Sequence, residues 1–178
     1  MTPVNNDKQL VNKILGGDTR SFGVVIKDTE KLVAQIVYKL ISIQEDRKDM
    51  MQEIYLKVYK KLPGFNFECK LSTWIAQISY NTCLDRLRKK KLVLAEADVM
   101  LQDDGILRKD LSGVLQATIN RLSPIYKTLI TLYHQEEMSY QEIGEITGLP
   151  EGTVKSYLFR ARRELKNDLL LTYKKEDL

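Results

Sequence analysis

Residues 139–166, SYQEIGEITGLPEGTVKSYLFRARRELK, leave the chain little choice of local fold. Ser139 stands three residues before Glu142, the spacing of a capping box, in which each side chain satisfies a free backbone N–H of the first helical turn. Ile143 and Ile146 give this short helix one apolar face. The Gly148-Leu149-Pro150 step ends it, because glycine takes the left-handed cap and proline cannot continue a helix. Pro150 also suits the first position of the next helix, where its missing N–H costs nothing. In that second helix Val154, Leu158, Ala161 and Leu165 recur at helical spacing and are expected to face inward. Lys155, Ser156, Phe159, Arg160, Arg162 and Arg163 are left outside. A capped helix, a glycine turn and a helix with a basic outer face make a helix-turn-helix, and its second helix fits a DNA major groove. An ordinary helical protein with a solvated basic face shows the same periodicity. Phe159 separates the two readings: an aromatic on a basic exposed face gains nothing from water, but it fits a thymine methyl or the edge of a base step.

The rest of the chain reads as helical too. Long i, i+3, i+4 patterns dominate, no alternating β-branched run appears, and only four prolines and nine glycines interrupt 178 residues. The expected fold is all-α: two small helical domains joined by a flexible linker, the C-terminal one the helix-turn-helix. The net charge of +4 is mild, but it is unevenly placed, with a balance of +6 in residues 1–90 and −2 in 91–178. Basic residues bunch at 86–91 and 160–166, which suits a polyanion gripped at two places. Cys69, Cys83 and the single histidine, His134, have no metal-ligand spacing, so no metal and no cofactor are expected. Both cysteines read as small buried hydrophobes, and His134 as a cap or surface residue. No nucleophile–base pair or phosphate loop is visible, so the chain does not read as an enzyme and no catalytic residue is assigned. It shows no secretory leader or membrane-length apolar run, so no membrane insertion and a cytoplasmic location are expected.

Taken in order, residues 1–7 are polar and read as loose, with a first helix over 8–15 closed by Gly16-Gly17. Asp18 caps the next helix near Thr19, and Leu32, Val33, Ile36, Val37 and Leu40 form a core stripe. A helix beginning at Asp46 or Asp49 covers DMMQEIYLKVYKKLPGF. Met50, Ile54, Lys57 and Val58 mark one of its sides. Asp49, Gln52, Glu53, Leu56 and Tyr59 share another, mixing acid, amide and apolar groups. Periodicity alone does not choose between a partner-binding face and a solvated one. Pro63-Gly64 ends the helix, and the loop Phe65, Asn66, Phe67, Glu68, Cys69 and Lys70 follows. Ser72 is expected to cap a helix through Trp74 and Leu87 into the basic run. Aromatics beside a basic helix suit unstacked single-stranded bases; equally, Phe67 and Trp74 are good core residues. Periodicity fades across the acidic stretch holding Asp98, Asp103, Asp104 and Gly105, taken as the linker. Leu111, Val114, Leu115, Thr118, Ile119 and Leu122 mark a further helix, and Ser123-Pro124 opens another.

These segments together resemble the extracytoplasmic-function class of bacterial RNA polymerase sigma factors. DMMQEIYLKVYKKLPGF resembles the core-binding helix of region two, and STWIAQISYNTCLDRLRKKK the promoter-melting segment. LSPIYKTLITLYHQEEMSYQEIGEITGLPEGTVKSYLFRARRELK resembles region four. The resemblance implies region two over 1–92, a linker over 93–111 and region four over 112–178. It implies that Asp49, Gln52 and Glu53, with Leu56 and Tyr59 beside them, bind core RNA polymerase. Lys155, Ser156, Phe159 and Arg160 would read the upstream promoter DNA as duplex, and Arg162 and Arg163 would hold phosphate. The melted downstream strand would fall to Phe65, Asn66, Phe67, Lys70, Trp74, Asn81, Asp85, Arg86 and Arg88. Lys155 stands where the family often has arginine, and lysine lacks the flat fork that reads guanine, so the upstream sequence preference is left open. The family also implies an anti-sigma factor as an inhibitory partner. The competing expectation is a self-sufficient helix-turn-helix regulator with an N-terminal sensing or dimerising domain.

Overall fold

The computed structural model describes residues 3–95 and 111–176, and among them the fold is all-α. Helices α1 (Pro3–Leu15), α2 (Thr19–Leu40), α3 (Gln44–Lys61) and α4 (Leu71–Ala95) build the first half. Helices α5 (Leu111–Arg121), α6 (Pro124–His134), α7 (Tyr140–Thr147) and α8 (Glu151–Glu176) build the second. The acidic stretch with Asp98, Asp103, Asp104 and Gly105, expected as the linker, lies outside the described residues. Helix α4 runs on through Ala95, past the expected boundary at 92.

Several local signals appear as expected. Asp18 caps α2 by accepting the N–H groups of Arg20 and Ser21. Ser123 caps α6, and Gly148 takes the left-handed conformation at φ 74°. The stripe Leu32, Val33, Ile36, Val37 and Leu40 is buried in α2, and α2 packs against α1, α3 and α4. A buried hydrogen bond between Thr29 Oγ1 and Tyr55 Oη, 3.1 Å, pins α2 to α3. Arg47 ties the corner between them, donating from Nε to the Ile41 carbonyl at 2.9 Å.

Four expectations need correction. Residues 3–7 are helical rather than loose, and Asp7 has a role: its Oδ2 accepts the Leu71 N–H at 2.9 Å. Helix α4 therefore starts at Leu71, and its cap comes from a residue 64 positions away in sequence, not from Ser72, which lies inside the helix. Helix α3 starts at Gln44, ahead of both aspartates proposed for its start; Glu45 and Asp46 in its first turn complement the helix dipole. Pro150 precedes α8 instead of opening it, and its carbonyl accepts from Thr153 and Val154. Helix α5 forms as expected; Thr118, Ile119 and, just past its end, Leu122 are buried, and Leu115 is exposed.

Candidate nucleic-acid interface

The helix-turn-helix is assembled from its own short-range bonds. Ser139 Oγ accepts the Glu142 N–H at 3.2 Å, and Glu142 Oε2 accepts the Ser139 N–H at 3.0 Å, closing the capping box. Ile143 and Ile146 of α7 and Val154, Leu158 and Ala161 of α8 are fully buried, and Leu165 is half-buried. The turn is tight. A Cβ on Gly144 would lie 2.8 Å from the Leu149 carbonyl oxygen, so this position in the middle of α7 must be glycine for the two helices to approach.

All six residues expected on the outer face of α8 are exposed. At 3.6 residues per turn they form two adjacent rows, Lys155–Phe159–Arg162 and Ser156–Arg160–Arg163. Phe159 is 65% exposed, an apolar ring set among cations. Lys155 Nζ lies 2.9 Å from Glu151, which raises the lysine's pKa through that contact. Ser156 Oγ donates to the Gly152 carbonyl at 2.7 Å, leaving its lone pairs outward.

The second surface lies in the first half. Asn81, Asp85 and Arg88 follow at i, i+4 and i+7 along one exposed row of α4. Arg88 sits 3.5 Å from Asp85. Arg86 is set apart from that row and leans toward α3, with Asp46 at 3.9 Å. The side chains of Lys90 and Lys91, the end of the basic run, lie outside the described residues. The loop before α4 is an aromatic pile: Phe65 lies 4.7 Å from Phe67 and 5.0 Å from Trp74, centroid to centroid. Phe65 is only 5% exposed, so it supports the loop from below, while Asn66 and Lys70 are exposed and Phe67 and Trp74 half-exposed. Phe67 takes φ 62°, the left-handed region, which costs a bulky residue about 1 kcal/mol or more. The neighbouring Cys69 thiol is pushed up by burial and then by nearby acids, and the buried Cys83 thiol to about 12 by burial, so neither is a ready nucleophile.

A third surface adjoins these two. Asp49, Gln52, Glu53, Leu56 and Tyr59 all emerge along one stripe of α3, with Leu56 61% exposed. The stripe borders a groove of about 1050 Å³ between α2 and α3, floored by Phe22, Ile26, Met51 and Tyr55.

The two halves touch. Helix α7 packs on α4 and α6 on α2. Lys70 Nζ pairs with Glu142 Oε1 at 2.7 Å, and Lys31 with Glu136 at 3.6 Å. The sequence gives no role to Asp7, Tyr133 or Tyr140, and it gives Glu142 only its place in the capping box. The contacts of Asp7 with Leu71 and of Glu142 with Lys70 are long-range, and periodicity does not report them. Among the described residues, no group of three His, Cys, Asp or Glu side chains is arranged to hold a metal ion, and no helix is long and apolar enough to cross a membrane.

Comparison with known proteins bears on both halves. Residues 25–93 match the family model described as Sigma-70 region 2, and residues 112–165 match Sigma-70, region 4. The chain is 30% identical to the ECF RNA polymerase sigma factor SigW of Bacillus subtilis, over 91% of this chain and 96% of that protein. It is also 30% identical to the ECF RNA polymerase sigma-E factor of Haemophilus influenzae, over 92% and 95% respectively. Among solved structures it resembles the sigma factor RpoE in complex with the anti-sigma factor NepR from Bartonella quintana. That match has a TM-score of 0.74 and 21% identity, and covers 84% of this chain and 97% of the other. It resembles CnrH in complex with the cytosolic domain of CnrY with a TM-score of 0.68 and 22% identity, covering 92% and 96%.

Proposed function

Since this chain belongs to the extracytoplasmic-function class of RNA polymerase sigma factors, we propose how its three surfaces divide the work of starting transcription. The chain directs polymerase to promoters, and the enzyme it joins makes the RNA. An N-terminal sensing or dimerising domain is not favoured, because the first half matches region two. In our reading, residues 1–92 bind the enzyme and the separated strand, 93–111 tether the halves, and 112–178 read duplex DNA.

The exposed stripe Asp49, Gln52, Glu53, Leu56 and Tyr59 is the polymerase-docking face. Lys155, Ser156, Phe159 and Arg160 read base edges in the upstream major groove, and Arg162 and Arg163 hold phosphates. Asn66, Phe67, Lys70 and Trp74, with Asn81, Asp85, Arg86 and Arg88, take the unpaired downstream strand, and Phe65 supports their loop from beneath. Separating DNA costs roughly 1.4 kcal/mol per base step. Stacking an unpaired base on an aromatic ring returns about 1–3 kcal/mol. A surface that accepts only unpaired bases therefore favours the open state without any bond chemistry of its own, and the chain needs no cofactor. It works where the polymerase works, in the cytoplasm. An anti-sigma factor covering these faces is the expected inhibitor; the RpoE relative named above is held in complex with one, NepR.

The observation that carries this reading is the pairing of two unlike surfaces in one chain: a helix-turn-helix with an outward basic face, and an aromatic loop leading onto a polar helix row. Reconstitution with core polymerase tests it. The chain is expected to co-purify with the enzyme and start RNA at defined sites, and genome-wide selection of DNA bound by that holoenzyme yields its promoters. A chain that binds duplex DNA alone and ignores the enzyme ends the proposal.

A further inference from the structure

The cations of α8 are not held alike. Tyr133, next to last in α6, and Tyr140, first in α7, stack across the connection between those helices, with centroids 5.1 Å apart and planes 12° from parallel. Lys155 Nζ stands over the Tyr140 ring at 5.4 Å, and the Arg162 guanidinium over the Tyr133 ring at 4.9 Å. Arg162 Nε also lies 3.3 Å from His134 Nε2, and His134 packs edge-on against Tyr133 at 4.9 Å. These two cations are seven residues apart, two turns or roughly 10.5 Å along the helix. One ring pair, carried by two other helices, thus touches both ends of one row on the DNA-facing side. Arg160 and Arg163, in the neighbouring row, have no ring contact of this kind among the described residues.

We propose that Tyr133 and Tyr140 are positioning residues for upstream DNA recognition: their stacked pair holds Lys155 and Arg162 aligned before DNA arrives. A free lysine or arginine loses substantial rotamer entropy when a phosphate or base immobilises it. A cation already resting on a ring has lost part of that freedom and keeps its charge and outward donors. The two rings brace one another by stacking, and the contact between their phenol groups lowers the Tyr133 pKa and raises that of Tyr140. Glu151, 2.9 Å from Lys155, adds a second tether on that side. The arrangement also orients α6 and α7 relative to α8, so the row keeps its register within the domain.

This proposal rests on the assignment of Lys155 and Arg162 to DNA. It is tested with reconstituted holoenzyme and a promoter fragment chosen by that holoenzyme, measuring affinity against salt. Tyr133→Leu and Tyr140→Leu each remove a π face and are expected to weaken binding roughly two- to fivefold. Tyr133→Phe and Tyr140→Phe keep the face and are expected to restore most of the loss. In the Arg162→Ala background Tyr133→Leu is expected to add nothing, and likewise Tyr140→Leu with Lys155→Ala. If leucine lowers the melting temperature, methionine fills the gap without a π face and replaces it. Full additivity in both cycles, or tyrosine variants that bind like the parent, overturns the positioning role. If Arg162→Ala and Lys155→Ala themselves leave affinity and salt slope unchanged, the groove-reading assignment of this row falls instead, which is a separate result.

Discussion

The half that carries the helix-turn-helix and the half that carries the aromatic loop are built on opposite plans. The helix-turn-helix takes its shape from neighbours in sequence: Ser139 and Glu142 cap one another, and Gly148 and Gly144 set the turn. The loop and α4 take theirs from afar, since Asp7 of α1 caps the start of α4 and Trp74 of α4 backs the loop aromatics. Their charges differ in the same sense. Arg160 and Arg163 have no ion pair among the described contacts of α8 and Arg162 rests on rings, so of the outward cations named there only Lys155 faces a carboxylate, Glu151. In the other half Lys70, Arg86 and Arg88 each face a carboxylate: Glu142, Asp46 and Asp85. On the proposed roles, the α8 face keeps most of its cations available to a polyanion, whereas the loop and α4 are partly neutralised by their own protein and would exchange acid for DNA, an order that suits finding a promoter before opening it.

Phe65→Ala should produce the largest effect. Removing a buried ring from a packed site costs about 3–5 kcal/mol. Chemical denaturation should show that loss, with the first half failing before the second. A loss no greater than that of Phe67→Ala would break the contrast between a supporting ring and a presented one. Gly144→Ala is the counterpart in the other half. Alanine gains about 1 kcal/mol in helix propensity, but its Cβ meets a backbone oxygen that cannot swing away. Net destabilisation of about 1–2 kcal/mol is expected, read in the same denaturation experiment and accompanied by loss of upstream duplex binding.

Two arginines compare the grips directly. Arg160→Ala should cost about 1–3 kcal/mol on the preferred upstream sequence and relax discrimination at one base position. Arg88→Ala should weaken DNA association evenly across sequences and lower its salt slope by about one. Competition binding with permuted upstream elements decides, and an even loss from Arg160→Ala removes it from base reading. Smaller again are the caps. Asp7→Ala and Ser139→Ala should each cost about 1 kcal/mol. Amide exchange should rise at the start of α4 in the first variant and at the start of α7 in the second.

That pairing also explains what was legible in the sequence. Ser139, Glu142, Gly148 and the Val154–Leu158–Ala161 spacing are local signals, and each appears as read, as do the Asp18 cap and the α2 core stripe. The starts of α1, α3 and α4 were misplaced. The polar residues 3–7 look loose until α2 and the 3-10 turn at Leu62–Gly64 give α1 something to pack on. Ser72 had the right chemistry for a cap, but Asp7 occupied that role from outside the segment. The outer faces of α3 and α8 could be read because burial of one side of a helix fixes the other. The tyrosine pair could not, because nothing in the spacing of positions 133 and 140 reports a stack across a turn.

The weakest expected effect lies where the two plans meet. Glu142 is held below the usual carboxylate range first by its hydrogen bond from Lys70 and then by the bonds of the capping box, and the same partner raises Lys70. A depressed carboxyl contributes stability that is present above its unfolded value and lost as pH falls through its folded one. A raised lysine contributes below its unfolded value and loses that as pH rises through its folded one. The pair is therefore strongest across the neutral range and fails on the acid side through Glu142. Lys70 is more than half exposed, so the pair is worth less than about 1 kcal/mol in stability. Lys70→Ala should raise the Glu142 titration midpoint without returning it to the ordinary value, because the Ser139 N–H and hydroxyl still bond to it. Site-resolved carboxyl titration by NMR reads this shift. A midpoint unchanged by Lys70→Ala would mean that the halves do not meet at this contact in solution, and the capping box alone would then account for the depressed carboxyl.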